Sequence, residues 1–98
     1  MKSEAKVRNG ENGDAELNMV RSRAGASYRK ATLANILSER ELELAWEGWR
    51  HEDMIRFGKY LKKYWAHPDQ SSETFRNVFP IPTDILNANP KLSQNKDY

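Results

Sequence analysis

Apolar residues recur at helical spacing through the first two thirds of the chain and lose that rhythm after Ala66. Helix breakers follow the same division. All five glycines fall at or before Gly58, and all four prolines at or after Pro68. The front of the chain therefore reads as helices separated by glycine stops, and the back as an extended, proline-pinned tail over residues 66–98. Residues 2–9 form a first short helix closed by Gly10. Glu11-Asn12-Gly13 is a tight loop, and Asp14 is placed to cap a second helix over 14–24, with Leu17, Val20 and Ala24 at helical spacing and Gly25 as its stop.

The strongest periodicity predicts a third helix over 33–47, capped by Thr32 and ended or kinked by Gly48. At about 100° per residue, Leu33, Ile36, Leu37 and Leu44 share one side. Leu42, Ala45 and Trp49 fall on the opposite side with Trp46 nearby, so this helix is expected to pack on two sides. A fourth helix is expected over 50–64, carrying Met54, Phe57 and Leu61 and interrupted at Gly58. Phe75, Val78 and Phe79 form a small apolar cluster before Pro80-Ile81-Pro82, which must be extended. A helical turn at 83–87, capped by Thr83, precedes irregular coil. No strand pattern appears, and the expected class is all-α with a long irregular tail.

Composition narrows the function. The net charge of +2 contains no dense basic block, which argues against a nucleic-acid partner. The absence of cysteine removes disulfides and thiolate metal sites. Met1–Gly10 lacks the apolar run of a signal peptide, and no segment is apolar enough to span a bilayer. A mean hydropathy of −0.92 is polar for a self-sufficient globule, and a two-sided central helix suggests apolar surface that drives self-association.

Little of the chemistry-bearing inventory points to catalysis. Glu39, Glu43 and Glu47 recur every four residues, but Arg40, Arg50 and Arg56 stand within sequence reach and make an ion-pair ridge the simpler reading. His51 follows Glu47 by four residues and His67 is isolated, too few ligands for a metal. There is no phosphate-cradling glycine loop and no nucleophile motif, so no cofactor and no enzyme are expected. Arg50, three residues after Glu47 and three before Asp53, is placed to bridge both carboxylates as a structural ion-pair cluster. Among the aromatics, Tyr64 and Trp65 at a helix end are the candidates for stacking on a sugar face; core packing is the competing reading for the rest.

The string Leu17-Asn18-Met19-Val20-Arg21-Ser22-Arg23-Ala24-Gly25 resembles the Leu-Asn-x-Val-Arg-x-Arg-Ala-Gly helix end of SusD/RagB proteins. Ile36-Leu37, Glu39-Arg40, Glu43-Leu44-Ala45, Glu47-Gly48, Arg50, Asp53, Ile55-Arg56 and Gly58 follow at the family's spacing. Pro80-Ile81-Pro82, Asn89-Pro90, Leu92, Gln94-Asn95 and Tyr98 resemble its C-terminal ending. Trp49 stands where His is frequent in the family. The resemblance implies tetratricopeptide-like helix pairs from the C-terminal part of a non-catalytic, cell-surface glycan-binding lipoprotein. It further implies delivery of oligosaccharides to a TonB-dependent (SusC-like) outer-membrane transporter, and a lipid anchor on an N-terminal part absent from this sequence. The alternative is a helical protein-interaction module that binds a partner peptide or protein in a groove between its helices.

Overall fold

The computed structural model describes residues 1–63, 66 and 68–98. All regular structure among them is helical, in the order α1 (Lys2–Arg8), α2 (Asp14–Arg23), α3 (Leu33–Glu43), α4 (Arg50–Arg56), a 3-10 turn (Thr74–Asn77) and α5 (Thr83–Ala88). The chain divides into two compact units, Met1–Asp53 and Met54–Tyr98.

In the first unit α1 contacts both α2 and α3. Leu17 of α2 and Ile36 of α3 are fully buried and Leu37 nearly so, which makes the shared apolar stripe of these helices the core. Each such side chain contributes about 1.5–3 kcal/mol by leaving water. The turn between α1 and α2 is tight enough to require glycine. The Ser3 hydroxyl donates to the Gly13 carbonyl at 2.8 Å, and a Cβ on Gly13 would come within 2.7 Å of the Ser3 carbonyl oxygen. At the other end of α2, Gly25 sits at φ +70°. Its N–H donates to the Ser22 carbonyl (3.0 Å) and that of Ala26 to Arg21 (2.9 Å), closing the last turn in the left-handed conformation that glycine adopts without strain. α1 ends in the same pattern at Gly10.

Several expected boundaries shift. Asp14 is the first helical residue of α2 rather than its cap, which is Gly13; the Asp14 N–H donates instead to the Asn12 side chain at 2.8 Å. α3 starts as expected, with the Thr32 hydroxyl accepting from the Asn35 N–H at 3.2 Å, but stops at Glu43 and not at residue 47. Trp46 (φ 68°) and Gly48 (φ 80°) both adopt left-handed backbone, so the segment cannot propagate a right-handed helix. The second apolar side expected of this helix is therefore not packed: Leu42, Ala45, Trp46 and Trp49 are all exposed.

The second unit begins within α4, which ends at Arg56 and not at residue 64. Gly58 (φ 64°) terminates it, as the N–H groups of Gly58 and Lys59 donate to the Ile55 and Met54 carbonyls at 2.9 and 2.8 Å. Phe57 and Tyr60 consequently lie beyond the helix and share no helical face. Met54 and Leu61 are the buried apolar residues here. The tail carries more order than its sequence pattern suggests. Thr83 is the first helical residue of α5, with Pro82 at the cap position. Gln94 grips Ile81 through both ends of its amide, accepting from the Ile81 N–H (2.8 Å) and donating to its carbonyl (2.9 Å). The Asn95 amide donates to the Phe79 carbonyl at 2.6 Å, and the Tyr98 hydroxyl to that of Val78 at 2.7 Å. The Tyr98 ring meets Phe75 edge to face at 5.1 Å. Side chains thus replace a strand partner for the extended segment around Pro80.

Candidate functional site

Leu17, Asn18, Arg21 and Arg23 of the most distinctive sequence string serve one joint between α2, α3 and the loop that connects them. Leu17 fills the core. Asn18 clamps the backbone of Arg29, accepting from its N–H and donating to its carbonyl, each at 2.8 Å, while also donating to the Asp14 carbonyl at 2.7 Å. Arg21 is buried; its Nε donates to the Ser27 carbonyl at 2.7 Å and its Nη1 to the Glu39 carboxylate. The Arg21 and Glu39 side chains are only 8% and 6% exposed. Arg23 pairs with Glu43 nearer solvent.

Asp14 closes the joint from the helix start. Its carboxylate accepts from the Ala31 N–H at 2.6 Å and the Tyr28 hydroxyl at 2.9 Å. The Ala31 N–H foremost, then Tyr28 and Asn12, hold this carboxyl below its ordinary range, and the Tyr28 hydroxyl is pushed up by the same bond.

A second set of pairs links α3 to α4. Asp53 is buried and accepts from Arg40 Nε at 2.7 Å, and Arg50 Nη2 meets Glu41 at 3.0 Å. The expected cluster of Glu47, Arg50 and Asp53 is therefore arranged differently: Asp53 is held by Arg40, Arg50 reaches Glu41, and Glu47 is exposed. Sequence spacing within one helix suggested the cluster. The break at Trp46–Gly48 instead turns α4 so that partners come from α3. The glutamate ridge likewise resolves into partners from α2, with Arg21 on Glu39 and Arg23 on Glu43. Among the described residues no three His, Cys, Asp or Glu side chains gather to hold a metal ion.

Tyr64 and Trp65, the expected sugar-stacking candidates, lie outside the described residues, as does His67. Two other tryptophans stand out. Trp46 is fully exposed and Trp49 is 48% exposed, and both line a depression of about 230 Å³ at the α3–α4 corner with Arg40, Glu41, Arg50 and Asp53. Their place on a helical stripe makes these indoles look like packing residues in the sequence, and Gly48 between them is the available sign of a corner. A separate, mostly apolar groove of about 280 Å³ runs along α1 and α2, lined by Met1, Ala15, Met19 and Val20.

Residues 1–98 match the SusD family (SusD/RagB). The chain is 30% identical over 106 residues to the starch-binding protein SusD of Bacteroides thetaiotaomicron, an alignment covering 99% of this chain and 19% of that protein. It thus spans about a fifth of the length of the curated relative it matches. With Leu17, Asn18, Arg21, Glu39 and Asp53 each accounted for in the packing of α2, α3 and α4, and with the match running the whole length of the sequence, the chain belongs to the SusD/RagB family.

Proposed function

We propose that this chain is a non-catalytic scaffold section of a cell-surface glycan-binding protein that passes oligosaccharides to a TonB-dependent outer-membrane transporter. The observation that carries the reading is the commitment of the charged side chains. Arg21 with Glu39, and Arg40 with Asp53, neutralise one another in largely buried pairs between helices, a commitment that leaves none of them poised as a general acid, base or nucleophile. Their chemistry is that of a joint. Membership in the SusD family and the likeness to a starch-binding relative support a glycan as the ligand of the whole protein. A lipid anchor outside these residues would hold it to the outer membrane.

The test is made on the cell-surface protein that carries this section. It is expected to copurify with a TonB-dependent transporter after mild detergent extraction, and to retain oligosaccharides while leaving their chain length unchanged on chromatography. Shortened oligosaccharides would reject the non-catalytic reading, and a protein that binds no glycan and copurifies with no transporter would reject the whole.

One observation favours a second reading. The apolar groove along α1 and α2, flanked by the exposed Met19, has the chemistry of a seat for an apolar helix or peptide. A protein-interaction module would bind a partner through this groove, and Met19→Asp would abolish the association while leaving oligosaccharide binding intact.

A further inference from the structure

We infer that the α3–α4 corner is a sugar-stacking subsite that takes one uncharged pyranose ring, with Trp46 and Trp49 as its apolar faces and Arg50 and Glu41 as its hydroxyl partners. The inference rests on the glycan reading above and assigns it a place within this chain.

Four properties of the corner lead to this ligand. The first is the pair of indoles. A pyranose presents a flat face of C–H groups, and an indole is the largest flat apolar surface among the side chains. Trp46 is fully exposed and Trp49 half exposed on the same depression. The second is backbone. Trp46 lies at φ 68°, a conformation rare for a bulky residue, and its side chain gains no burial in exchange. Strained residues of this kind concentrate where a ligand is clamped.

The third is hydrogen-bonding capacity. Arg50 directs Nη2 to Glu41 at 3.0 Å, whereas its Nη1 is buried and has no partner. A buried donor without an acceptor is costly, and a sugar hydroxyl would relieve it. The Glu41 side chain is about half exposed and keeps acceptor capacity for a second hydroxyl. The fourth is charge. Arg40 and Arg50 are balanced by Glu41 and Asp53, so the corner selects neither an anion nor a cation. A neutral polyhydroxylated ring meets these conditions together. The volume of about 230 Å³ lies under the roughly 300 Å³ at which sites for larger ligands begin, which limits the subsite to one ring of a longer chain.

The experiment titrates the 98-residue chain with maltohexaose, cellohexaose, xylohexaose and mannohexaose, following tryptophan fluorescence and the indole N–H resonances. At least one sugar is expected to shift the Trp46 and Trp49 resonances saturably. Trp46→Ala should weaken that sugar about tenfold, the equivalent of about 1.4 kcal/mol, with an unchanged helical spectrum and thermal midpoint because Trp46 packs against nothing. Trp49→Phe should bind more tightly than Trp49→Ala, and Arg50→Met should weaken binding without moving the fluorescence maximum of the free chain. Binding that is untouched by Trp46→Ala and lost in Trp65→Ala overturns the inference while leaving the glycan reading standing. Indoles that respond to none of the four sugars also overturn it, and the glycan reading is then judged on the cell-surface protein alone.

Discussion

Breaking the Arg21–Glu39 pair should cost far more than its Coulomb attraction in water. Both side chains are more than nine-tenths removed from solvent, so loss of one partner strands the other as a buried, uncompensated charge. Such changes cost about 3–5 kcal/mol, against roughly 0–1 kcal/mol for an exposed pair. Arg21→Met should be the worse of the two single changes. It frees the Ser27 carbonyl as well as Glu39, adding about 1 kcal/mol over Glu39→Gln, which keeps an acceptor oxygen near the guanidinium. Replacing both, as Arg21→Met with Glu39→Leu, removes both charges together and should return stability to within about 1–2 kcal/mol of the parent.

Urea unfolding followed by circular dichroism measures this directly. For a chain of this size the slope is about 1–3 kcal/mol per molar urea, so a loss of 3 kcal/mol moves the midpoint by about 1–3 M. The total stability of a small domain is only about 5–15 kcal/mol, and either single variant is therefore expected to sit near the edge of folding. Single variants each within 1 kcal/mol of the parent, with no coupling in the double variant, would refute the assignment of a buried pair.

The same joint and the tail yield three further expectations. Asn18→Leu removes both hydrogen bonds to Arg29 and should destabilise the first unit by about 2–3 kcal/mol, read as early amide exchange at residues 27–31. Gln94→Ala should release the Ile81 backbone and raise proteolysis between Phe79 and Pro82, whereas Tyr98→Phe, losing one exposed bond, should change stability by less than about 1 kcal/mol. Because the carboxyl of Asp14 is held below its unfolded value near about 3.9, its contribution is fully present above that pH and is lost as pH falls through the lowered folded value. An acid titration of stability should accordingly lose part of its slope below about pH 4 in Asp14→Asn, and an identical slope in both proteins would contradict the bond to Ala31.

What could be read from the sequence was what the backbone enforces locally. Gly10, Gly25 and Gly58 mark helix ends because a left-handed residue closes each last turn, and Thr32 marks a start because its hydroxyl takes an orphan N–H. Leu17 and Ile36 follow from periodicity alone. Pairing between helices was hidden. Arg21 meets Glu39 across 18 positions, a distance at which spacing carries no information, and Arg50 reaches back to Glu41 on α3 although spacing along one helix offers it Glu47 and Asp53. The indoles at 46 and 49 escaped for a related reason. Gly48 announces a break, but nothing local places the end of α3 as early as Glu43, and an apolar residue continuing a helical stripe looks the same as one projecting from a corner. In the tail, the period-free stretch after Pro82 concealed order because Gln94, Asn95 and Tyr98 supply hydrogen bonds that regular structure would otherwise provide.

The charges on α3 also fix an alignment. Glu39 and Glu43 face α2, while Arg40 and Glu41, between them in sequence, reach α4 and its leading end. Apolar contacts among Leu17, Ile36 and Leu37 would tolerate a slip of α3 along its neighbour, since one branched side chain fills a gap much like another. A turn of α3 about its own axis by one residue, about 100°, would set Arg40 against Arg21 and bury two like charges without a counterion. The alternating signs thus act as a lock on which side α3 turns to each neighbour, and reversing the charge of Arg21 or of Glu39 alone would bury two like charges against each other.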